Sequence, residues 1–78
     1  MTLKIISAEA IVFEGEVTSV TLPGALGSFT VLRNHASLVS TLAAGDIEYT
    51  GAAGHKETRR IDGGIADVDN NVVSVCLY

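Results

Sequence analysis

Glycine punctuation is what most limits the folds open to this chain. Its eight glycines fall between short runs of apolar and β-branched residues, the pattern of strands broken by bends and tight turns. The densest example is Leu22–Leu38, LPGALGSFTVLRNHASL. Here a Pro23-Gly24 turn, Gly27, a short apolar strand (Phe29–Leu32) and a polar loop with His35 follow one another closely. Gly63-Gly64 answers it near the end of the chain. A strand–loop–strand–loop segment of this kind displays backbone and small side chains along one edge of a compact body. It reads as a docking edge and not as a catalytic site.

The remaining runs follow the same logic. Leu3 and Ile5 alternate with Thr2 and Lys4 at the period of a strand. Ile11-Val12-Phe13, Glu14-Gly15-Glu16 and Val17–Leu22 come next, with Thr18, Val20 and Leu22 expected on one face and Gly15 at a bulge or bend. In Leu38–Ala44 the apolar spacing also suits a helix, but the segment is short, carries Ser40 and Thr41, and is closed by Gly45, so it is read as a strand. Gly51–Gly54 joins Ile47–Thr50 to Glu57–Ile61 as a hairpin, and Asp69-Asn70-Asn71 joins Ile65–Val68 to Val72–Leu77 as another. Regular short strands without a convincing helix predict an all-β, flattened sandwich or barrel of antiparallel strands.

A length of 78 residues allows one domain, residues 1–78. Such a chain buries only about 60% of its extended surface, so its core is small and a partner is expected to add stability. Cys76 has no second cysteine to pair with, and its place in a strand-like run makes it a small core residue.

The net charge is −4 and the basic residues Lys4, Arg33, Lys56, Arg59 and Arg60 form no stripe, which argues against nucleic-acid binding. There is no tryptophan, so stacking platforms for bases or sugars are poorly supplied. No apolar run reaches the ~20 residues that span a bilayer, and no secretory signal precedes Leu3. The chain is expected to be soluble, without direct membrane insertion.

Chemistry-bearing residues have simple structural readings. His55 belongs to the Gly51–Lys56 turn, and His35 to a loop where one structural hydrogen bond accounts for it. Neither lies in a nucleophile motif. Asp62, Asp67, Asp69, Asn70 and Asn71 lack the closing bidentate acid of a calcium loop, and turn chemistry explains the last three. The glycines match neither a phosphate loop nor a dinucleotide fingerprint. No catalytic residue, metal or cofactor is expected.

Five short motifs, in order, carry a resemblance. Leu3-Lys4-Ile5 with Ser7-Ala8-Glu9, Val12–Val17 ("VFxGxV"), Pro23-Gly24 through Gly27 and Phe29 ("PGxxGxFG"), Val31–Leu38 ("vLPGHAPL"), and Gly63–Val68 with Asn70–Val75 ("GGFvEV…N.VTV") resemble the N-terminal β-sandwich domain of the epsilon subunit of F-type ATP synthase. Arg33 and Ser37 stand where many members have prolines, which should loosen that loop, and Ser28 stands where many carry an acid.

The resemblance implies a non-catalytic rotor subunit that joins the gamma subunit to the c-ring at the cytoplasmic face of a bacterial plasma membrane, coupling ion flow to ATP synthesis. It implies gamma contacts at Ser7, His35 and Ser40, and c-ring contacts at Gly27, Ser28 and Phe29. Most members continue into a C-terminal helical hairpin that inhibits hydrolysis and in some binds ATP. Since the sequence stops at Tyr78, a short subunit without nucleotide binding is expected. The alternative is a free-standing β-sandwich module binding a carbohydrate or a peptide strand.

Overall fold

A computed structural model describes all residues, 1–78. Eight strands make up the chain: β1 (Thr2–Ile6), β2 (Ile11–Leu22), β3 (Phe29–Leu32), β4 (Leu38–Leu42), β5 (Gly45–Gly51), β6 (Lys56–Ile61), β7 (Gly64–Asp69) and β8 (Val72–Leu77). The order β4-β7-β8-β1-β2-β5-β6, with β3 also on β2, curls into two layers. The larger layer is β4-β7-β8-β1 with the first half of β2. The smaller is β3, the second half of β2, β5 and β6. The all-β sandwich is as expected, and Leu38–Leu42 is a strand. Among the pairings one, β1 with β8, runs parallel, because the chain's first and last strands meet side by side in the middle of the larger sheet.

β2 belongs to both layers, and two bulges let it do so. Opposite β1 the register slips between Ile5 and Ile6, leaving Val12 as an extra residue. Opposite β5 it slips between Val17 and Ser19, leaving Thr18 extra. The second bulge breaks the simple alternation of the strand. Val17, Val20 and Leu22 are buried while Thr18 is exposed, so Thr18 does not share the face of Val20 and Leu22. An inserted residue bends and twists a strand, which is what carries β2 from one sheet into the other.

Gly15, by contrast, lies at no bulge. It pairs in regular register with Leu3 and leaves room for the Phe13 ring, which a Cβ at position 15 would meet at 3.0 Å. Phe13 in turn lies against Tyr49, ring centroids 4.6 Å apart. Aromatic pairs at that separation add about 0.5–1.5 kcal/mol beyond their buried area.

The core consists of inward positions from both layers, among them Leu3, Ile5, Val20, Leu22, Val31, Ile47, Val73 and Val75, and no polar side chain is buried within it. Burying each such aliphatic side chain stabilises by roughly 1.5–3 kcal/mol. Arg59 is half-buried between exposed Thr58 and Arg60, and its Nε is buried without a hydrogen-bond partner. The aliphatic stem of an arginine can close a sheet edge in this way while its charged end stays near water. Cys76 is exposed and not a core residue. Val73 and Val75 take the inward positions of β8, so parity turns Cys76 outward.

Candidate functional site

The turns are built by the residues that turn geometry requires. Asn70 and Asn71 join β7 to β8 with φ of 48° and 61°, the left-handed pair that a two-residue hairpin demands. Gly63 has φ of 138°, and Gly64 passes so close to the Cys76 carbonyl that a side chain would collide with it. The Gly-Gly pair is therefore the device that brings β7 into the sheet beside β8.

Pro23–Ser28 forms a loop that closes back on the edge of β4. Ala25 N–H donates to the Thr41 carbonyl at 2.9 Å, and Ala43 N–H donates to the Pro23 carbonyl at 2.8 Å. Gly24 is needed there because a Cβ would meet the Gly27 carbonyl at 2.6 Å and the Phe29 ring at 2.9 Å. Gly27 (φ 133°) and Ser28 are exposed at the loop tip, whereas Phe29 is half-buried and packs on the core. The expected c-ring residues thus divide into an exposed pair and the anchor that holds them. Leu26, beside them, is the most exposed large apolar side chain in the chain.

Ser7, His35 and Ser40 are not brought together. The Ser7 hydroxyl accepts from Ala10 N–H at 3.3 Å and donates to the Ala10 carbonyl at 3.2 Å, shaping the turn after β1. His35 Nδ1 is 2.7 Å from the Ala36 carbonyl, in an exposed loop at the other end of the larger sheet. Four strand steps of about 3.3 Å separate the two ends. Ser40 lies between them on the edge strand β4, and its hydroxyl donates to the Thr41 carbonyl at 2.9 Å.

The loop expected to be loosened by the missing prolines is instead tied down. Ser37 Oγ donates to Asp69 at 2.6 Å, Asn34 N–H donates to the Asn71 side chain at 2.6 Å, and Asn71 Nδ2 donates to Asn34 at 3.0 Å.

The outer faces of the two layers differ in chemistry. On the smaller sheet the register aligns Thr30, Thr21, Glu48 and Thr58 in one row and Leu32, Ser19, Thr50 and Lys56 in the next. Hydroxyl pairs knit this face, Thr21 to Thr30 at 2.8 Å and Ser19 to Thr50 at 3.3 Å. On the larger sheet the register aligns Thr41, Ile65, Cys76, Ile6 and Ile11 into one row across five strands. Ile65 and Ile11 remain 43% and 62% exposed. The sequence carried a signal for this row that went unread: Ile6, Ile11 and Ile65 are apolar at positions out of phase with the core residues Leu3, Ile5 and Ala66.

Reactive side chains are dispersed over this body. His35 and His55 lie exposed in separate loops, and Cys76 lies alone on the outer face of β8. Of the aromatic rings, Phe13, Phe29 and Tyr49 are drawn into or against the core, and Tyr78 is exposed. The sandwich thus presents one hydroxyl face, one apolar-striped face and a projecting loop.

Its family follows from comparison with known proteins. Residues 1–77 match the family model described as the ATP synthase delta/epsilon chain β-sandwich domain, and the chain belongs to that family. The ATP synthase epsilon chain of Campylobacter jejuni subsp. doylei is 44% identical over 75 residues, covering 96% of this chain and 58% of its own length. That of Nitratiruptor sp. is 44% identical over 71 residues, covering 91% of this chain and 55% of its own length. This chain therefore spans a little over half the length of these relatives.

Among solved structures, a chain of the Euglena gracilis mitochondrial ATP synthase OSCP/F1/c-ring assembly superposes with TM-score 0.89 at 28% identity, over 96% of this chain and 48% of that one. A chain of the Tetrahymena thermophila mitochondrial ATP synthase central stalk/c-ring shares the fold, with TM-score 0.78 at 13% identity over 99% of this chain and 62% of that one.

Proposed function

We propose that this chain is a non-catalytic rotor subunit of an F-type ATP synthase, docked between the gamma subunit and the c-ring at the cytoplasmic face of a bacterial plasma membrane. The observation that carries the reading is the family match over residues 1–77. The architecture suits the task, since a torque-bearing spacer needs stiffness and separate docking surfaces. Two sheets braced through the shared strand β2 supply the stiffness. The exposed tip of the Pro23–Ser28 loop, with Gly27 and Ser28 held by Phe29, is the c-ring contact. Ser7, His35 and Ser40 border the larger sheet at its two ends and its edge strand, and they mark the gamma side.

Calorimetric titration of the chain into the gamma subunit of the same organism tests this. One-to-one binding is expected, lost in the triple variant Ser7→Arg, His35→Glu, Ser40→Arg while circular dichroism shows an intact β fold. If wild-type chain does not bind gamma, alone or with c-ring present, the rotor reading is wrong. Unchanged binding by the triple variant removes those three residues from the interface.

A further inference from the structure

The two ends of the strand order are finished differently. At β4 the Pro23–Ser28 loop covers part of the edge, through the hydrogen bonds of Ala25 and Ala43. β6, at the other end, pairs with β5 and with no further strand. Gly51 N–H donates to the His55 carbonyl, which fixes the phase of the β5–β6 ladder. Bonded and non-bonded pairs alternate in an antiparallel ladder, so Glu57, Arg59 and Ile61 exchange hydrogen bonds with β5. The N–H and C=O groups of Lys56, Thr58 and Arg60 therefore point outward along a free edge.

This edge is basic in an acidic chain. β6 carries Lys56, Arg59 and Arg60 against the single acid Glu57, whereas the whole chain has net charge −4. Lys56, Thr58 and Arg60 share the outer face, and Glu57, Arg59 and Ile61 the inner one. The acids beside them on the outer face of β5 are Asp46, opposite Arg60, and Glu48, opposite Thr58. Asp46 lies 3.9 Å from Arg60, too far for a hydrogen bond, so the Arg60 donors remain free. Arg59 is half-buried with Nε unpartnered, and it belongs to neither of the chain's ion pairs. Cations on an edge strand, inward ones included, keep like edges apart. The same cations select a strand of opposite charge, and the guanidinium of Arg59 still lacks its acceptor.

We propose that the free edge of β6 takes an extended acidic segment of another protein as an added antiparallel strand. Backbone bonds form to Lys56, Thr58 and Arg60. Carboxylates opposite Lys56 and Arg60 pair on the outer face, and one opposite Arg59 supplies the missing acceptor on the inner face. A second copy of the chain gains nothing comparable. Self-pairing of β6 about Thr58 sets Lys56 against Arg60 twice on the outer face, which offsets the two Glu57–Arg59 pairs formed on the inner face. An acidic strand gains on both faces. This site lies on the smaller sheet and does not depend on the rotor reading.

The test is a titration of the isotope-labelled chain, followed by NMR, with the capped peptide acetyl-Glu-Glu-Thr-Val-Glu-amide. In antiparallel register its three glutamates stand opposite Arg60, Arg59 and Lys56. The amides of Lys56, Thr58 and Arg60 should shift and exchange more slowly with solvent, with a dissociation constant of about 1 mM or tighter. The amides of Glu57, Arg59 and Ile61, already bonded to β5, should move less. A peptide with lysine in place of glutamate, or one N-methylated at its threonine, should leave the edge unchanged. Arg59→Met keeps an apolar stem and removes the guanidinium, and it should weaken binding about tenfold. Circular dichroism establishes that this variant is folded, and the two altered peptides test the edge without touching the protein.

Edge amides that stay unmoved at several times that concentration overturn the proposal. So does an equal response to the lysine or N-methylated peptide, or an Arg59→Met variant that binds as tightly as wild type. Edge amides already protected in the free chain, together with a dimer in sedimentation, would make β6 a self-contact and overturn it as well. Each of these outcomes leaves the rotor reading standing, because that reading is tested by gamma binding.

Discussion

Asn34 and Asn71, thirty-seven positions apart, lock two turns together through a reciprocal pair of hydrogen bonds. Both adopt the left-handed backbone, with φ of 64° and 61°. One holds the turn after β3 and the other the hairpin between β7 and β8. Asparagine suits both tasks, because it tolerates positive φ and its short amide reaches nearby backbone. Asn71→Ala loses the bonds and strains the backbone, and about 1–3 kcal/mol of stability should go with it. Asn71→Gly relieves the strain and loses only the bonds, so urea denaturation should place it between alanine and wild type. Equal stability of all three would show that the pair contributes nothing.

Thr18 contributes through its presence in the chain more than through its side chain. Deleting it leaves Val17 and Val20 two positions apart, the same-face spacing of a regular strand, and removes the bulge that bends and twists β2 from one layer into the other. Thr18→Ala should cost less than about 1 kcal/mol, whereas deletion of Thr18 should abolish the cooperative transition. A deletion mutant that melts like wild type would mean β2 does not bend at this bulge.

Gly64 has no space for a side chain, since a Cβ would run into the Cys76 carbonyl, a backbone atom that cannot yield. Gly64→Ala should therefore destabilise by about 1–3 kcal/mol, in the range of overpacking within a core. Gly51→Ala, where a Cβ has its nearest neighbour at 3.7 Å, serves as the matched control. Indistinguishable melting of the two variants would contradict the close approach.

Stability should depend on pH through Glu16. Its carboxylate accepts the Thr2 hydroxyl at 2.8 Å and the Met1 ammonium at 3.2 Å. The Thr2 hydrogen bond first, and the ammonium second, hold it below the usual carboxylate range. A carboxyl group that is more acidic in the folded state binds its proton more weakly there than in the unfolded chain. Its contribution is complete above its unfolded pKa of about 4.3 and is lost as pH falls through the lower, folded value. Glu16→Gln should lower stability near neutral pH and converge with wild type in acid. A difference between the two that stays constant with pH would rule out this linkage.

Much of the fold was legible because its determinants are local. Period-two alternation set Leu3 with Ile5 and Val20 with Leu22 on shared strand faces, and all four are buried. Gly51–Gly54 and Asn70-Asn71 marked their hairpins through backbone conformations that few other residues adopt. Sequence reading failed where a side chain's face depended on a bulge or on a distant neighbour. Thr18 was placed on the wrong face by one extra residue, Gly15 was explained by a ring two positions away, and Cys76 was counted as core although its parity faces outward.

Strand positions and turn residues were determined by the sequence alone, since sterics and alternation act within a few residues. The tertiary structure decided which strands became neighbours. It placed β1 parallel to β8, passed β2 through both layers, and aligned Thr41, Ile65, Cys76, Ile6 and Ile11 on one face. Those choices depend on burying one shared core and on closing long loops, and neither can be read from any short window of residues. The apolar row comes into being only when that pairing is complete.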